Sequence, residues 1–332
     1  MARLAVSALA ALAARAALTA LVALAASCSS PTGRAPAPIA PTAPADPWAA
    51  VAPDEPPSSM ATRALADRAC PKVTAPYFYR IEKDGKVSHI LGTRHLGVSL
   101  DKMPANVVAA IRGAAVAVFE VAPGDDVTRP EASGPPLPAQ LGPELWARYR
   151  KLVGAANANN VERGTPSDAM IALIALYEHK LAALDLEIVG LVQRANIPAR
   201  GLESAAFQQE LLGELLDLRM LRATIAGTPD RATLERESTE DLRAYCAGTD
   251  DVPGMDPEER QQLRAAGFTE AELDKLDQRL VFARNADWIP KLEQILGSGG
   301  AFIAVGADHL TGNRGVIALL AARGYRTTRV AP

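Results

Sequence analysis

The feature that most constrains the fold is a motif that occurs twice, early and late in the chain. Ile90-Leu91-Gly92-Thr93-Arg94-His95-Leu96-Gly97 reads apolar, apolar, Gly, two variable residues, His, Leu, Gly. Ala304-Val305-Gly306-Ala307-Asp308-His309-Leu310-Thr311-Gly312 repeats it, with one extra residue before the last Gly. Each copy ends a β-type run and precedes a helical pattern. With 24 glycines and 4 histidines in 332 residues, about 0.3 Gly-x-x-His matches arise by chance. Two in the same strand-turn-helix setting therefore carry information. Glycine lets the backbone turn sharply at a strand end, and in open α/β sheets ligands gather at the carboxyl ends of strands. His95 and His309 are thus candidate site residues, against the plainer alternative of two histidines bonded to loop backbone. His89, inside a strand, and His179, on a helix, fall outside the motif and read as structural or surface residues.

The rest of the pattern says how the two copies meet. Tyr77–Lys83 and Val87–Gly92 flank Asp84-Gly85, a hairpin signal. A helix follows from Pro104 to about Ala114. Ala115–Val121 is an apolar strand with Glu120 near its end. The middle is helical: Pro138–Val153, a helix capped by Ser167 or Asp168 that runs to about Leu181, and another with Asp185 as its cap that runs to about Ala195. Ile197–Leu202 reads as a short strand leading into Glu203. Long helices follow over Ala205–Ile225, Pro229–Ala247 and Glu270–Leu296. The end returns to α/β, with a strand over Ala301–Val305, a helix over Gly315–Arg323 and a strand over Tyr325–Val330. Strands at both ends with helices between imply a single α/β domain, residues 61–332. Its mixed central sheet is assembled from N- and C-terminal segments around a large helical middle.

The N-terminus implies export. Arg3 and Arg15 precede the apolar stretch Ala16–Ala26, which ends at Ser27-Cys28, so residues 1–27 read as a signal peptide. Leu24-Ala25-Ala26-Ser27-Cys28 is similar to a bacterial lipobox, in which Cys28 becomes lipidated. A soluble secretory signal is one alternative. An uncleaved anchor over Leu4–Ser27 is another, which Arg15 at mid-membrane disfavours by roughly 2.5–3.5 kcal/mol. Residues 28–60 hold nine prolines between Pro31 and Pro57, with Ala and Ser between, a composition that reads as a stiff disordered tether. The expected location is the cell envelope, periplasmic or attached to the outer membrane. Once Cys28 is lipidated, Cys70 and Cys246 remain, in an oxidising compartment. They are expected either to pair or to stay as buried thiols. A net charge of −3 and the lack of a basic, aromatic-interleaved run argue against nucleic acid.

Several motifs in order carry a family resemblance over about Ala75–Val330. They are YRIEKDGKVSHILGTRHLG, AVAVFEV, LDLEIVGLVQRANIPARGLES with Gln208 beyond it, VFARNADW with Arg284, Asn285 and Trp288, and AFIAVGADHLTGNRGVIALLAARGYRTTRV. The sequence resembles the TraB/PrgY/GumN family, whose animal relatives are the TIKI metalloproteases. The resemblance implies a fold shared with erythromycin-esterase-like and ChaN-like proteins, with two pseudo-repeated half-sites. It implies His95, Glu120, Glu203, Arg284, Asn285 and His309 as the matched polar residues. The TIKI branch implies a divalent metal, Mn2+ or Co2+, and hydrolysis of a peptide or protein substrate.

Bottom-up chemistry is compatible with that implication. A hydrolytic metal site needs about three nitrogen or oxygen ligands and an open position. His95, His309 and Glu120 are the expected ligands, with Glu203 as general base and Arg284 as oxyanion partner, Glu120 and Glu203 being exchangeable. Plainer roles are a structural ion pair for Glu120 with Arg94 or Arg284, and a helix cap for Glu203. Two departures from the family stand out. Val121-Ala122-Pro123 lacks the acidic residue that often follows the strand, and Tyr245-Cys246-Ala247-Gly248-Thr249-Asp250 stands where relatives often carry Trp-x-x-Gly-Asp. The alternative function is a non-catalytic envelope protein that binds a peptide or haem on the same fold. Oligomeric state is not legible.

Overall fold

A computed structural model describes residues 59–125, 134–177, 183–249, 254–255 and 257–332. The expected signal peptide, the lipidated Cys28, the tether up to residue 58 and His179 lie outside the described residues. Among the described residues no helix is long and apolar enough to cross a membrane.

The chain forms a mixed α/β body around one six-stranded sheet. Its strands are β1 (Tyr77–Lys83), β2 (Lys86–Thr93), β3 (Val116–Val121), β4 (Ala199–Glu203), β5 (Ala301–Gly306) and β6 (Arg326–Arg329), in the order β4-β3-β5-β2-β1-β6. The first hairpin is as expected. Asp84 and Gly85 both take positive φ, 51° and 73°, the pair of left-handed residues that a tight antiparallel turn demands. β2, β5, β3 and β4 run parallel, while β1 is antiparallel to both β2 and β6. β5 is buried at every position, which its unbroken apolar run AFIAVG permits at the centre of a parallel stretch.

This topology brings the two motif copies side by side. β2 and β5 are neighbours, and Thr93 pairs with Gly306. Gly92 is packed too tightly for a side chain: an added Cβ would lie 2.8 Å from Tyr77 Cβ and 2.9 Å from Ala307 Cα. The carboxyl ends of β2, β5, β3 and β4 therefore share one edge, and they carry Thr93, Gly306, Val121 and Glu203.

Two apolar cores flank that edge. One sandwiches the sheet, with Ile90, Leu91, Val118, Phe302, Ile303, Trp288 and Leu292 among its members. The other lies inside the helical middle around Trp146, Tyr149, Met170, Leu211 and Leu221. Leu310, next to His309, packs in the sheet core, whereas Leu96, next to His95, packs in the helical core. The first motif thus bridges the two cores.

Helix boundaries differ from expectation where turn chemistry intervenes. Pro138–Val153 divides into Leu137–Leu141 and Pro143–Val153, because Gly142 takes φ +78°. Ala205–Ile225 divides at Leu216-Asp217, and the Asp217 carboxylate caps the second helix at the Met220 N–H. Glu270–Leu296 contains a π-helical turn, Gln278–Phe282, that separates Glu270–Asp277 from Ala283–Leu296. Asp185 is not a cap: it sits within the helix Leu184–Arg194, whose N-cap is Ala183. Cys70 and Cys246 form a disulfide.

Candidate functional site

Three of the six expected residues, Glu120, Glu203 and His309, converge on the buried guanidinium of a fourth, Arg284, and Asn285 stands behind His309. Arg284 enters from the first turn of the helix Ala283–Leu296, just after the π-helical turn. A π turn widens the helix and shifts its carbonyl pattern, and the Leu280 carbonyl accepts from Arg284 Nη1 at 2.9 Å. The same Nη1 donates to His309 Nε2 at 3.2 Å. Nε and Nη2 form a two-pronged grip on Glu203, at 3.0 and 2.5 Å, and Nη2 also donates to Glu120 at 2.7 Å. An arginine side chain has five N–H donors, so the whole set is satisfied. Arg284 is 4 % exposed, and a charge so buried is stable only when paired and bonded in this way. Its two carboxylate partners hold it firmly protonated, and burial alone opposes them.

Glu203 is saturated too. Besides the Arg284 grip it accepts from Trp288 Nε1 at 3.1 Å and Gln208 Nε2 at 3.1 Å. Burial pushes its carboxyl above the ordinary range and the neighbouring Glu120 adds to that, while Arg284 and Trp288 pull it down. The helix after Glu203 is capped by Ser204, at the Phe207 N–H, so capping is not the role of Glu203. Glu120 comes from the end of β3 and accepts from the Gly306 N–H at 2.8 Å and Gln208 Nε2 at 3.3 Å.

Elementary hydrogen-bond logic sets the state of His309. A guanidinium only donates, so His309 Nε2 accepts, and Nδ1 carries the proton. Nδ1 then donates to Asn285 Oδ1 at 2.6 Å, and the Asn285 amide nitrogen donates to the Arg314 carbonyl at 3.0 Å. His309 is fully buried with its ring centre 4.4 Å from that of Trp288, and its Nε2 is 3.8 Å from Glu120 Oε1.

His95 is set apart from that network. Its Nδ1 lies 2.6 Å from Asp185 Oδ2, and the other oxygen of Asp185 accepts from Thr93 Oγ1 at 2.7 Å. An ionised carboxylate only accepts, so His95 Nδ1 donates and Nε2 holds the lone pair. That Nε2 is buried and has no hydrogen-bond partner among the described residues. Sequence reasoning missed Asp185 and Thr93 as site residues. Thr93-x-His95 carries a weak signal, since alternate residues leave a strand end toward one side, but nothing in the sequence ties Asp185 to it.

The donor set expected for a divalent ion was His95, His309 and Glu120. The Nε2 of His309 and an oxygen of Glu120 are already bonded to Arg284, whose positive charge occupies the centre between Glu120 and Glu203. Among the described residues His95 Nε2 is the one imidazole acceptor of this set with no donor on it, while the cation of Arg284 stands against the other two of the three ligands that a hydrolytic metal needs. Among the described residues no group of three or more His, Cys, Asp or Glu side chains is arranged to hold a metal ion. As arranged, the set does not fit a divalent ion.

No curated protein and no solved structure matches the chain significantly. A family model does match, over residues 77–329, which spans the whole sheet and every residue of the site. The chain belongs to the TraB/PrgY/gumN family.

Proposed function

We propose that the chain is a hydrolase in which His95 is the general base and Asp185 its orienting partner. The observation that carries this reading is the state of His95: one ring nitrogen is fixed by a carboxylate, and the other is buried and without a partner among the described residues. A buried acceptor without a partner costs about 1–3 kcal/mol, and such costs persist where a ligand relieves them. In this role Nε2 takes a proton from water as the water oxygen attacks the substrate carbonyl carbon. The same proton then passes to the leaving group as the carbon–leaving-group bond breaks. Asp185 keeps the proton of the resting imidazole on Nδ1 and stabilises the imidazolium that forms.

Arg284, Glu120, Glu203, Asn285 and His309 act as the scaffold beside this base. Their donors and acceptors are already committed to one another, which fixes the carboxyl ends of β3, β4 and β5. This replaces the expected roles of Glu203 as base and Arg284 as oxyanion partner. Peptide bonds are the substrate class that the family resemblance supports, and an exported lipoprotein on the outer face of a bacterial membrane is its expected setting.

The test is cleavage of a peptide library by the purified chain, with a chelator and separately with added Mn2+ or Co2+. Cleavage in chelator that His95→Ala abolishes supports the proposal. Cleavage that survives His95→Ala, or that appears only with added metal, overturns it.

A further inference from the structure

The structure assigns Tyr245 and the Cys70–Cys246 disulfide a shared positioning role. Together they clasp the His95 turn in place, so that the site is set only in the oxidised chain. This inference rests on the reading of His95 as the base.

Covalent and hydrogen-bonded links run without a break from the disulfide to the imidazole. Cys246 lies near the end of the helix Arg231–Ala247, and its sulfur joins Cys70, which follows the helix Ser59–Ala69. The segment after Cys70 is stitched to the same place. The Thr74 and Ala75 backbone N–H groups donate to the Cys246 carbonyl at 2.9 and 3.4 Å, and Thr74 Oγ1 donates to it at 3.1 Å. Beyond the helix, Gly248 takes φ +67° and packs so closely on the Ala75 carbonyl that no Cβ would fit there.

Tyr245, one residue before Cys246, points into the sheet. Its hydroxyl donates to the Gly92 carbonyl at 2.9 Å and also meets the Arg94 backbone N–H. One buried hydroxyl therefore holds two peptide groups of the turn that presents His95. The Tyr245 ring lies 5.8 Å from the ring of Tyr77, the residue that pairs with Gly92 across the first hairpin. From Gly92 the link passes through Thr93 Oγ1 to Asp185, and from Asp185 to His95. Tyr245 touches no reacting atom in this scheme and is a positioning residue.

The disulfide determines where the Tyr245 end of the helix sits. Reduction by a dithiol delivers two electrons and two protons. It yields the Cys70 and Cys246 thiols, and the dithiol leaves as its own cyclic disulfide. The hydroxyl is then free to drift from Gly92, and the His95 turn loses its support. Displacing a catalytic group by ~1 Å lowers turnover on the order of 10²-fold.

The experiment compares the full chain, Tyr245→Phe, and the Cys70→Ala/Cys246→Ala pair by backbone hydrogen exchange and by peptide turnover. Tyr245→Phe keeps the ring and the disulfide and removes only the hydroxyl. The expected result is faster exchange over residues 92–97 in both variants, with β5 unchanged. Turnover falls in kcat with KM held, and the triple variant is no worse in kcat than the cysteine pair. Wild-type exchange over residues 92–97 in Tyr245→Phe overturns the clasp, as do kcat losses that multiply in the triple variant. If the wild-type chain cleaves no peptide, the hydrolase reading fails, and the exchange comparison alone decides the clasp.

Discussion

Replacing Arg284 with Met probes the buried network most sharply. Counting formal charges, Glu120 and Glu203 contribute two negatives and Arg284 one positive, so the centre carries a net single negative charge. The Met variant leaves two adjacent carboxylates buried without their shared cation, beside the neutral donors Gln208, Trp288 and the Gly306 N–H. Removing one partner of a buried ion pair costs about 3–5 kcal/mol. For a domain of this size that corresponds to a fall in melting temperature of roughly 6–20 °C. Glu203→Gln works in the opposite direction: it keeps the shape and removes the excess negative charge. Its cost is polar instead: the new amide NH2 meets two N–H donors whichever way it turns, so two of the four hydrogen bonds are lost, about 1–3 kcal/mol each. The pH dependence separates the two further. Burial raises the folded-state pKa of Glu203 above its ordinary 4.5. Well below that value both folded and unfolded chains hold the proton, so the group adds no penalty. As pH rises, the unfolded chain ionises first, and stability falls until pH passes the folded-state value. Glu203→Gln therefore gains on the wild type as pH rises from 4 to 7. Urea unfolding at both pH values, followed by far-UV circular dichroism, measures this. An Arg284→Met variant within about 1 kcal/mol of wild type would refute the account of a charge-paired core.

Two more outcomes follow from the histidines. Asp185→Asn lets the His95 proton move to Nε2 and should lower kcat by at least on the order of 10²-fold with the fold intact by circular dichroism; turnover within about twofold of wild type would remove Asp185 from the site. His309→Ala leaves a cavity beside Trp288 and orphans both Asn285 Oδ1 and an Arg284 N–H, a loss of about 2–4 kcal/mol. His95→Ala should cost clearly less in the same unfolding assay, and equal losses would contradict the division of labour between the two.

Much of the sheet was legible because its signals are local. Asp84-Gly85 between β-rich runs forces a hairpin, and AFIAV is too short and too apolar for anything but a central strand. The long helices were less legible, since one Gly142-Pro143 step, the Asp217 cap and a π turn break patterns that periodicity alone runs together. For the site, residue types sufficed to choose His95, Glu120, Glu203, Arg284, Asn285 and His309, but not to say who bonds whom. Charge pairing is decided by reach in three dimensions. Arg284 satisfies all five of its donors only because β3, β4, β5 and its own helix end at one place. Asp185 was read as a cap because an acidic residue near a helix start is usually that. Its true partners, Thr93 and His95, lie about ninety residues away in sequence.

The two Gly-x-x-His turns look equivalent in sequence and are chemically unequal in the fold. Both present Nδ1 as donor and Nε2 as acceptor, although His309 ends a 3-10 turn, Ala307–His309, and His95 lies in a bend. The difference lies in what faces Nε2. At His309 a permanent cation fills that place, and the ring is sealed against Trp288 with no exposure. At His95 no donor among the described residues fills it, and the adjoining Leu96 reaches into the helical core instead of the sheet core. Of the two histidines, one thus holds the strand ends together and the other keeps a buried acceptor without a donor among the described residues. The asymmetry comes from Arg284 and its π turn, not from the motif itself. Restoring symmetry would need an arginine guanidinium donating to His95 Nε2.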